Sequence, residues 1–129
     1  MGHFYVDCEI VHIGDAKKTA KVTKLLVDSG SEYTWISEET LKQLGVTVEK
    51  KDTAFLMANG QTITRPIGFA IIQVDNFRTV DEVVFAQRGD LQLLGARTLE
   101  GFGALVDARE KRLVAAGPYP AAGIGCMRD

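Results

Sequence analysis

Three consecutive apolar residues, Leu25-Leu26-Val27, run straight into Asp28-Ser29-Gly30, and this junction restricts the fold of the chain more than anything else in it. An apolar run without alternation needs cover on both faces, so it reads as an inner strand of a sheet. The residues after it are a turn set: an acid that can bond its own backbone, a small hydroxyl and a glycine. A buried strand therefore delivers an acid to a tight loop. Upstream, Phe4, Val6, Cys8 and Ile10 alternate with Tyr5, Asp7, Glu9 and Val11, the period of two expected of a strand with one buried face. Gly14-Asp15 marks a turn, and Ala20 to Val27 is the strand that follows it.

Downstream, Ser37 is placed to cap a short helix that carries Glu38 and Glu39 in its first turn and stops at Gly45, with Leu41 and Leu44 toward the core. From Val46 to Ala86 the chain is rich in β-branched and aromatic residues, with breaks expected at Asn59-Gly60, at Pro66 and around Asp75-Asn76, a pattern of hairpins. Leu91 to Leu94 is a further apolar run, and Ala96 to Phe102 has the spacing of a brief amphipathic helix between glycines. Ala104 to Asp107 and Arg112 to Ala115 flank the charged turn Arg109-Glu110-Lys111 as a last hairpin. The fold class is therefore all-β, mainly strands with one or two short helices. At 129 residues the chain is long enough for one domain. We read it as a domain over 1–116 and a Gly/Pro/Ala-rich tail over 117–129, expected to be mobile.

Composition excludes several function classes. With 46% apolar and 25% charged residues the chain is core-forming rather than disordered. A net charge of −2 with acids and bases interspersed offers no basic stripe for nucleic acid. Cys8 and Cys126 lack the spacing of a disulfide framework or zinc site and read as reduced thiols. His3 and His12 stand alone, and Gly101 and Gly103 do not follow a strand in a phosphate-cradling arrangement, so neither a metal nor any cofactor is implied. The start of the chain has no basic region followed by an apolar run, and no stretch is long enough to span a bilayer. The expectation is a cytoplasmic protein with no membrane partner.

Peptide hydrolysis without metal or covalent nucleophile needs a base to activate water and an acid to protonate the products, and two adjacent carboxyl groups sharing one proton supply both. Leu26-Val27-Asp28-Ser29-Gly30-Ser31 has the order such a site requires, and here the chain resembles the retropepsin-like (retroviral-type) aspartic peptidases, in particular small single-domain bacterial and archaeal forms. Leu93-Leu94-Gly95 before a short helical segment looks like the second motif of that family, and Met57-Ala58-Asn59-Gly60-Gln61 looks like the tip of its flap, a hairpin that closes over bound peptide. The segment from Leu99 to Val114 is similar to the closing segment of the small members, so the likeness covers roughly Phe4 to Val114.

The resemblance implies a closed, β-barrel-like acid protease fold of the single-lobe type and an aspartic endopeptidase in which Asp28, Ser29 and Gly30 form the catalytic loop. Ser29 would interlock with its counterpart in the other half of the site. Ser31 would donate to the outer carboxylate oxygen, favouring the ionised form and activity at lower pH. Ser31, Glu32, Ala58, Asn59 and Gly60 would contact an extended peptide or protein substrate that adds as a strand. Asp7, Asp15, Asp52, Asp75, Asp81, Asp90 and Asp107 all lack the Ser/Thr-Gly partner, and no repeat supplies a second motif, so the second carboxylate is expected from a homodimer. The alternative is a non-catalytic module of the same fold, binding peptide or holding a dimer.

Two departures from the retroviral pattern stand out. Ala96 intervenes between the second-motif glycine and Arg97, which leaves Arg97 as a surface charge or a partner for Glu32, and Pro118-Tyr119-Pro120 does not read as the central strand of an interleaved terminal sheet. Tyr33 and Trp35, beside the acid loop, either line a pocket or join the core; the core is the expectation for Trp35.

Overall fold

The computed structural model describes residues 3–121. Nine strands and two short helices follow one another as β1 (Tyr5–His12), β2 (Asp15–Val27), β3 (Thr34–Ser37), α1 (Glu38–Leu44), β4 (Lys50–Leu56), β5 (Thr62–Val74), β6 (Phe77–Ala86), β7 (Leu93–Leu94), α2 (Ala96–Phe102), β8 (Ala104–Asp107) and β9 (Arg112–Ala115). Seven strands make one sheet in the order β1-β2-β7-β3-β6-β5-β4, and β5 pairs with β1 as well. That last pairing closes the sheet into a ring and leaves β4 outside it, so the chain is a sheet ring and not a regular barrel. Closure hides the edges an open sheet of this length would expose. β8 and β9 form a separate two-stranded sheet.

The alternation read in the first strand holds from Asp7 to Ile10, with Cys8 and Ile10 turned inward and Asp7 and Glu9 outward; it stops at Val11, expected outward but buried next to Ile10. The Leu25-Leu26-Val27 end of β2 lies between β1 and β7, and its two faces are both covered, Leu25 and Val27 by the main core and Leu26 by a second cluster around Trp35, which is why the run needs no polar face. Helix α1 has the ends expected of it. The Ser37 hydroxyl accepts from the Thr40 N–H at 3.2 Å, and Gly45 closes the helix in the left-handed conformation at φ 79°. Leu41 and Leu44 are buried against the main core with Ile10, Leu25, Ile36, Ile72, Phe85 and Leu94. A smaller cluster joins Trp35, Ile67, Val84, Ala86 and Leu93.

One expected break is absent. Pro66 does not divide the middle of the chain, for β5 runs unbroken from Thr62 to Val74. A proline has no N–H for a ladder, and here the partner strand yields instead: β4 changes register between Lys50 and Thr53, opposite the stretch from Arg65 to Ile67. The other two turns fall where the sequence puts them. Asn59-Gly60 lies in the β4–β5 connection, and Asp75-Asn76 joins Val74 to its partner Phe77, with Asp75 at φ 53°. The stretch from Leu91 to Leu94 is interrupted by Gln92, whose Oε1 accepts from the Ser37 N–H, and only Leu93 and Leu94 are strand; Leu91 is exposed. The described part of the tail, 117–121, holds no strand, whereas the expected thiol Cys126 lies outside the described residues. Among the described residues no helix is long and apolar enough to cross a membrane.

Candidate active site

The chain ascends β2, crosses a short loop and descends β3, and β7 is inserted between those two strands. β7 runs parallel to β2, with Leu26 opposite Leu93 and Val27 opposite Leu94, and antiparallel to β3, with Leu93 opposite Trp35. The loop from Asp28 to Tyr33 must therefore arch over the end of β7, and its backbone is fastened there. Asp28 N–H donates to the Leu94 carbonyl at 2.9 Å; beyond Gly95, Ala96 N–H donates to Ser31 O at 2.7 Å and Arg97 N–H to Glu32 O at 3.0 Å. These last two donors open α2 and have no partner within it. The acid loop uses them, so each motif satisfies the other's backbone.

Gly95 is needed for its size. A Cβ there would overlap the Tyr33 carbonyl and stand 2.9 Å from Glu32 O. Its N–H donates to Thr34 Oγ1 at 2.9 Å, Thr34 Oγ1 lies 2.6 Å from Thr98 Oγ1, and Thr98 donates to Asp81 Oδ2 at 2.8 Å. Because the Thr98 proton goes to the carboxylate, the Thr34 proton goes to Thr98. The chain of bonds has a single direction, from Gly95 through two fully buried hydroxyls to Asp81. It gives two buried hydroxyls the partners that burial demands.

Asp28 itself is half-buried, with Oδ1 accepting the Gly30 N–H at 3.0 Å. It lies in the floor of a groove of about 750 Å³ whose lining also includes Gly30, Ser31, Glu32, Tyr33 and Trp35. The opposite wall is β4 from Thr53 to Leu56 with Met57 and Ala58, and the end is closed by Gly89, Asp90 and Leu91. An aromatic contact joins the walls: Phe55 meets the Tyr33 ring edge-on at 5.5 Å and the Trp35 ring at 5.0 Å. The end is pinned by Arg65, whose Nε and Nη2 grip Asp90 at 2.7 and 2.9 Å. That grip holds the Asp90 carboxyl below the usual carboxylate range, helped by the Gln87 N–H and opposed by burial.

Residues 15–101 match the family described as "gag-polyprotein putative aspartyl protease", a span that runs from β2 through α2 and holds both the acid loop and the segment that fastens it. The chain belongs to this aspartyl protease family. The architecture is shared as well. The crystal structure of the retroviral protease-like domain of Ddi1 from Leishmania major is similar over 89% of each chain, with a TM-score of 0.56 and 18% sequence identity. At that identity the likeness is one of fold, and the fold is retropepsin-like. No curated protein sequence matches this chain.

Within this family member the structure gathers most, but not all, of the residues picked from sequence. Asp28, Gly30, Ser31, Glu32 and Ala58 share the groove. Asn59 and Gly60 do not line it: they form the turn beyond Ala58, where Met57 N–H donates to Gln61 O and Gln61 N–H to Asn59 Oδ1. Ser29 is exposed beside the acid. The Ser31 hydroxyl does not donate to the carboxylate; it donates to the Tyr33 carbonyl at 3.4 Å, an acceptor the loop's own curvature brings closer. Trp35 is in the core as expected, at 7% exposure, yet one side of it still reaches the groove, and Tyr33 is half-buried there. Arg97 takes both readings at once: 40% exposed, it stands 3.8 Å from Glu32 and, at 2.9 Å, bonds Glu82.

Sequence reasoning missed Thr34, Thr98, Asp81, Glu82 and the Arg65–Asp90 pair. The two threonines carried one signal, for each takes an inward position in its element, where an apolar residue would otherwise stand. Arg65 and Asp90 are far apart in the chain with no spacing to connect them. Among the described residues no cluster of His, Cys, Asp and Glu is arranged to hold a metal ion.

Proposed function

We propose that the protein is an aspartic endopeptidase, active as a homodimer in which Asp28 of each copy contributes one carboxyl group to a shared pair. The observation that carries this reading is the position of Asp28: the acid of the only Asp-Ser-Gly sequence in the chain lines a groove of about 750 Å³ that it shares with β4 and with Met57 and Ala58. One carboxyl cannot at the same moment take a proton from water and give one to the amide. A pair that shares a proton can, because repulsion between the two keeps one neutral; the handing over of that proton in such dyads is the general behaviour of aspartic proteases.

No second acid in the same groove suits that task. Asp90 is held ionised by Arg65 and would not keep a proton near neutral pH. Glu32 is exposed over 74% of its side chain and stands 3.8 Å from the Arg97 guanidinium, turned to solvent and a cation rather than paired with Asp28. A second copy related by a twofold axis brings an equivalent Asp28, and Ser29, exposed next to it, is free to interlock with its counterpart. The hairpin of β4 and β5 then serves as the flap, with Ala58 over the peptide and Asn59-Gly60 forming the turn at its tip. The peptide lies extended along the groove and bonds backbone to backbone.

The test is cleavage of denatured casein over a range of pH and of protein concentration, wild type against Asp28→Asn. Activity that rises more steeply than protein concentration and disappears in Asp28→Asn supports the reading. A folded protein that cuts nothing at any pH rejects it in favour of a peptide-binding or dimer-forming module on the same fold.

A further inference from the structure

At the far side of the groove wall, Glu82 on β6 stands between two cations from different parts of the chain. Its Oε1 accepts from Arg97 Nη1 at 2.9 Å, and its Oε2 lies 2.7 Å from Lys50 Nζ. The side chain is only 14% exposed. Oε2 is sealed from solvent and has no well-directed hydrogen bond, so the Lys50 charge is what compensates it. A buried carboxylate oxygen without such a partner costs several times more than a surface charge.

Each cation leads to the groove by a different route. Lys50 is the first residue of β4, the strand that carries Phe55 and Leu56 into the groove wall. Arg97, just inside α2, lies with its guanidinium carbon 4.5 Å above the Tyr33 ring, and its N–H holds the Glu32 carbonyl. Tyr33 and Phe55 then meet across the groove. The acid loop, the second motif and the outer strand of the hairpin thus converge on one carboxylate that touches none of the substrate-facing surface.

We propose that Glu82 is a positioning residue for peptide binding: by drawing Lys50 and Arg97 together it sets the separation of the Tyr33 wall from the Phe55 wall. The inference rests on the peptidase reading of the groove. Without the charge at Glu82, Arg97 turns to Glu32, its nearest other acid, and the cation leaves the face of Tyr33. The root of β4 is then unpinned, and the walls part. The dyad does not feel this, because the Glu82 side chain bonds no atom of Asp28, and the 2.7 Å bond from the Glu82 N–H to Asp81 Oδ1, which leads to the buried threonines, belongs to the backbone and is kept when the side chain changes.

The experiment compares wild type, Glu82→Gln and Lys50→Gln on a fluorogenic peptide built around the first bond that wild type cuts in denatured casein. In parallel, amide hydrogen exchange is followed over 53–58. Glu82→Gln keeps the shape and one hydrogen bond to Arg97 while removing the charge; Lys50→Gln changes a half-exposed side chain and keeps the test open if the Glu82 variant fails to fold. The expected result is a KM raised by about tenfold in either variant, with kcat and the pH-rate profile kept within about twofold, and faster exchange at Phe55 and Leu56. The double variant should be little worse than either single one. Unchanged KM and unchanged exchange in folded variants would overturn the proposal, and so would a fall in kcat with a displaced pH profile, which would put Glu82 in charge of the dyad. If wild type cuts nothing, the peptidase reading is what fails, and the exchange data alone decide whether Glu82 holds the hairpin.

Discussion

Thr34 shows how much of this site depends on groups that never meet substrate. Its hydroxyl accepts from Gly95 and donates to Thr98, and both threonines are fully buried. Thr34→Val keeps the shape and orphans the Gly95 N–H, so it should lower the unfolding free energy by about 1–3 kcal/mol in denaturant titrations. Gly95→Ala acts at the same place by volume. The added methyl meets the Tyr33 carbonyl, and a cost of about 1–3 kcal/mol with a lowered Tm is expected for such overpacking. Cys8 behaves in the opposite way, as a group shielded from chemistry. Burial pushes its thiol up to about 12, so at pH 8 it remains protonated and should resist iodoacetamide in the native protein while reacting in denaturant, as peptide mapping would show. Labelling of Cys8 at equal rates in the two states would contradict that account.

At the scale of elements, helix α1 and the last hairpin were legible from the sequence for a simple reason: their determinants are local. Ser37, Glu38, Glu39 and Gly45 sit within one short stretch, and a cap, a charged first turn and a left-handed stop need no distant partner. Ala104–Asp107 and Arg112–Ala115 surround their own turn, in which Lys111 takes φ 55°. Pro66 was misleading because its effect is decided by another strand, where the shift between Lys50 and Thr53 absorbs it. The acid loop was legible as a loop and as a candidate site, since Asp28-Ser29-Gly30 follows a run that only an inner strand explains. What fastens it was legible only at Arg97, read from sequence as a partner for Glu32; Asp81, Glu82 and Thr98 are brought to it by sheet closure, which no single segment encodes. The Ser31 hydroxyl failed for a similar reason: the curvature of the loop, not the order of residues, chooses its acceptor.

For the molecule as a whole, two acid groups set opposite requirements. Asp90 is an ion-pair partner whose native pKa is depressed by Arg65. Such a group adds stability that is complete above the ordinary carboxyl value and is lost as pH falls through its lower native value. Thermal unfolding should therefore show a loss of Tm that starts below about pH 4, and Asp90→Asn should flatten that limb while lowering the Tm near neutrality. An equally steep acid limb in Asp90→Asn would contradict this assignment. Asp28, by contrast, has under the proposed peptidase reading a task that one carboxyl group cannot complete, and on that reading the second carboxyl comes with another copy of the ring.

Mixing wild type with Asp28→Asn at constant total protein tests that requirement most directly. If each active site takes one Asp28 from each of two copies, cleavage falls with the square of the wild-type fraction, to about a quarter in an equal mixture. A linear fall, to about half, would mean that each chain cuts alone, and the shared pair of carboxyl groups would have to be abandoned.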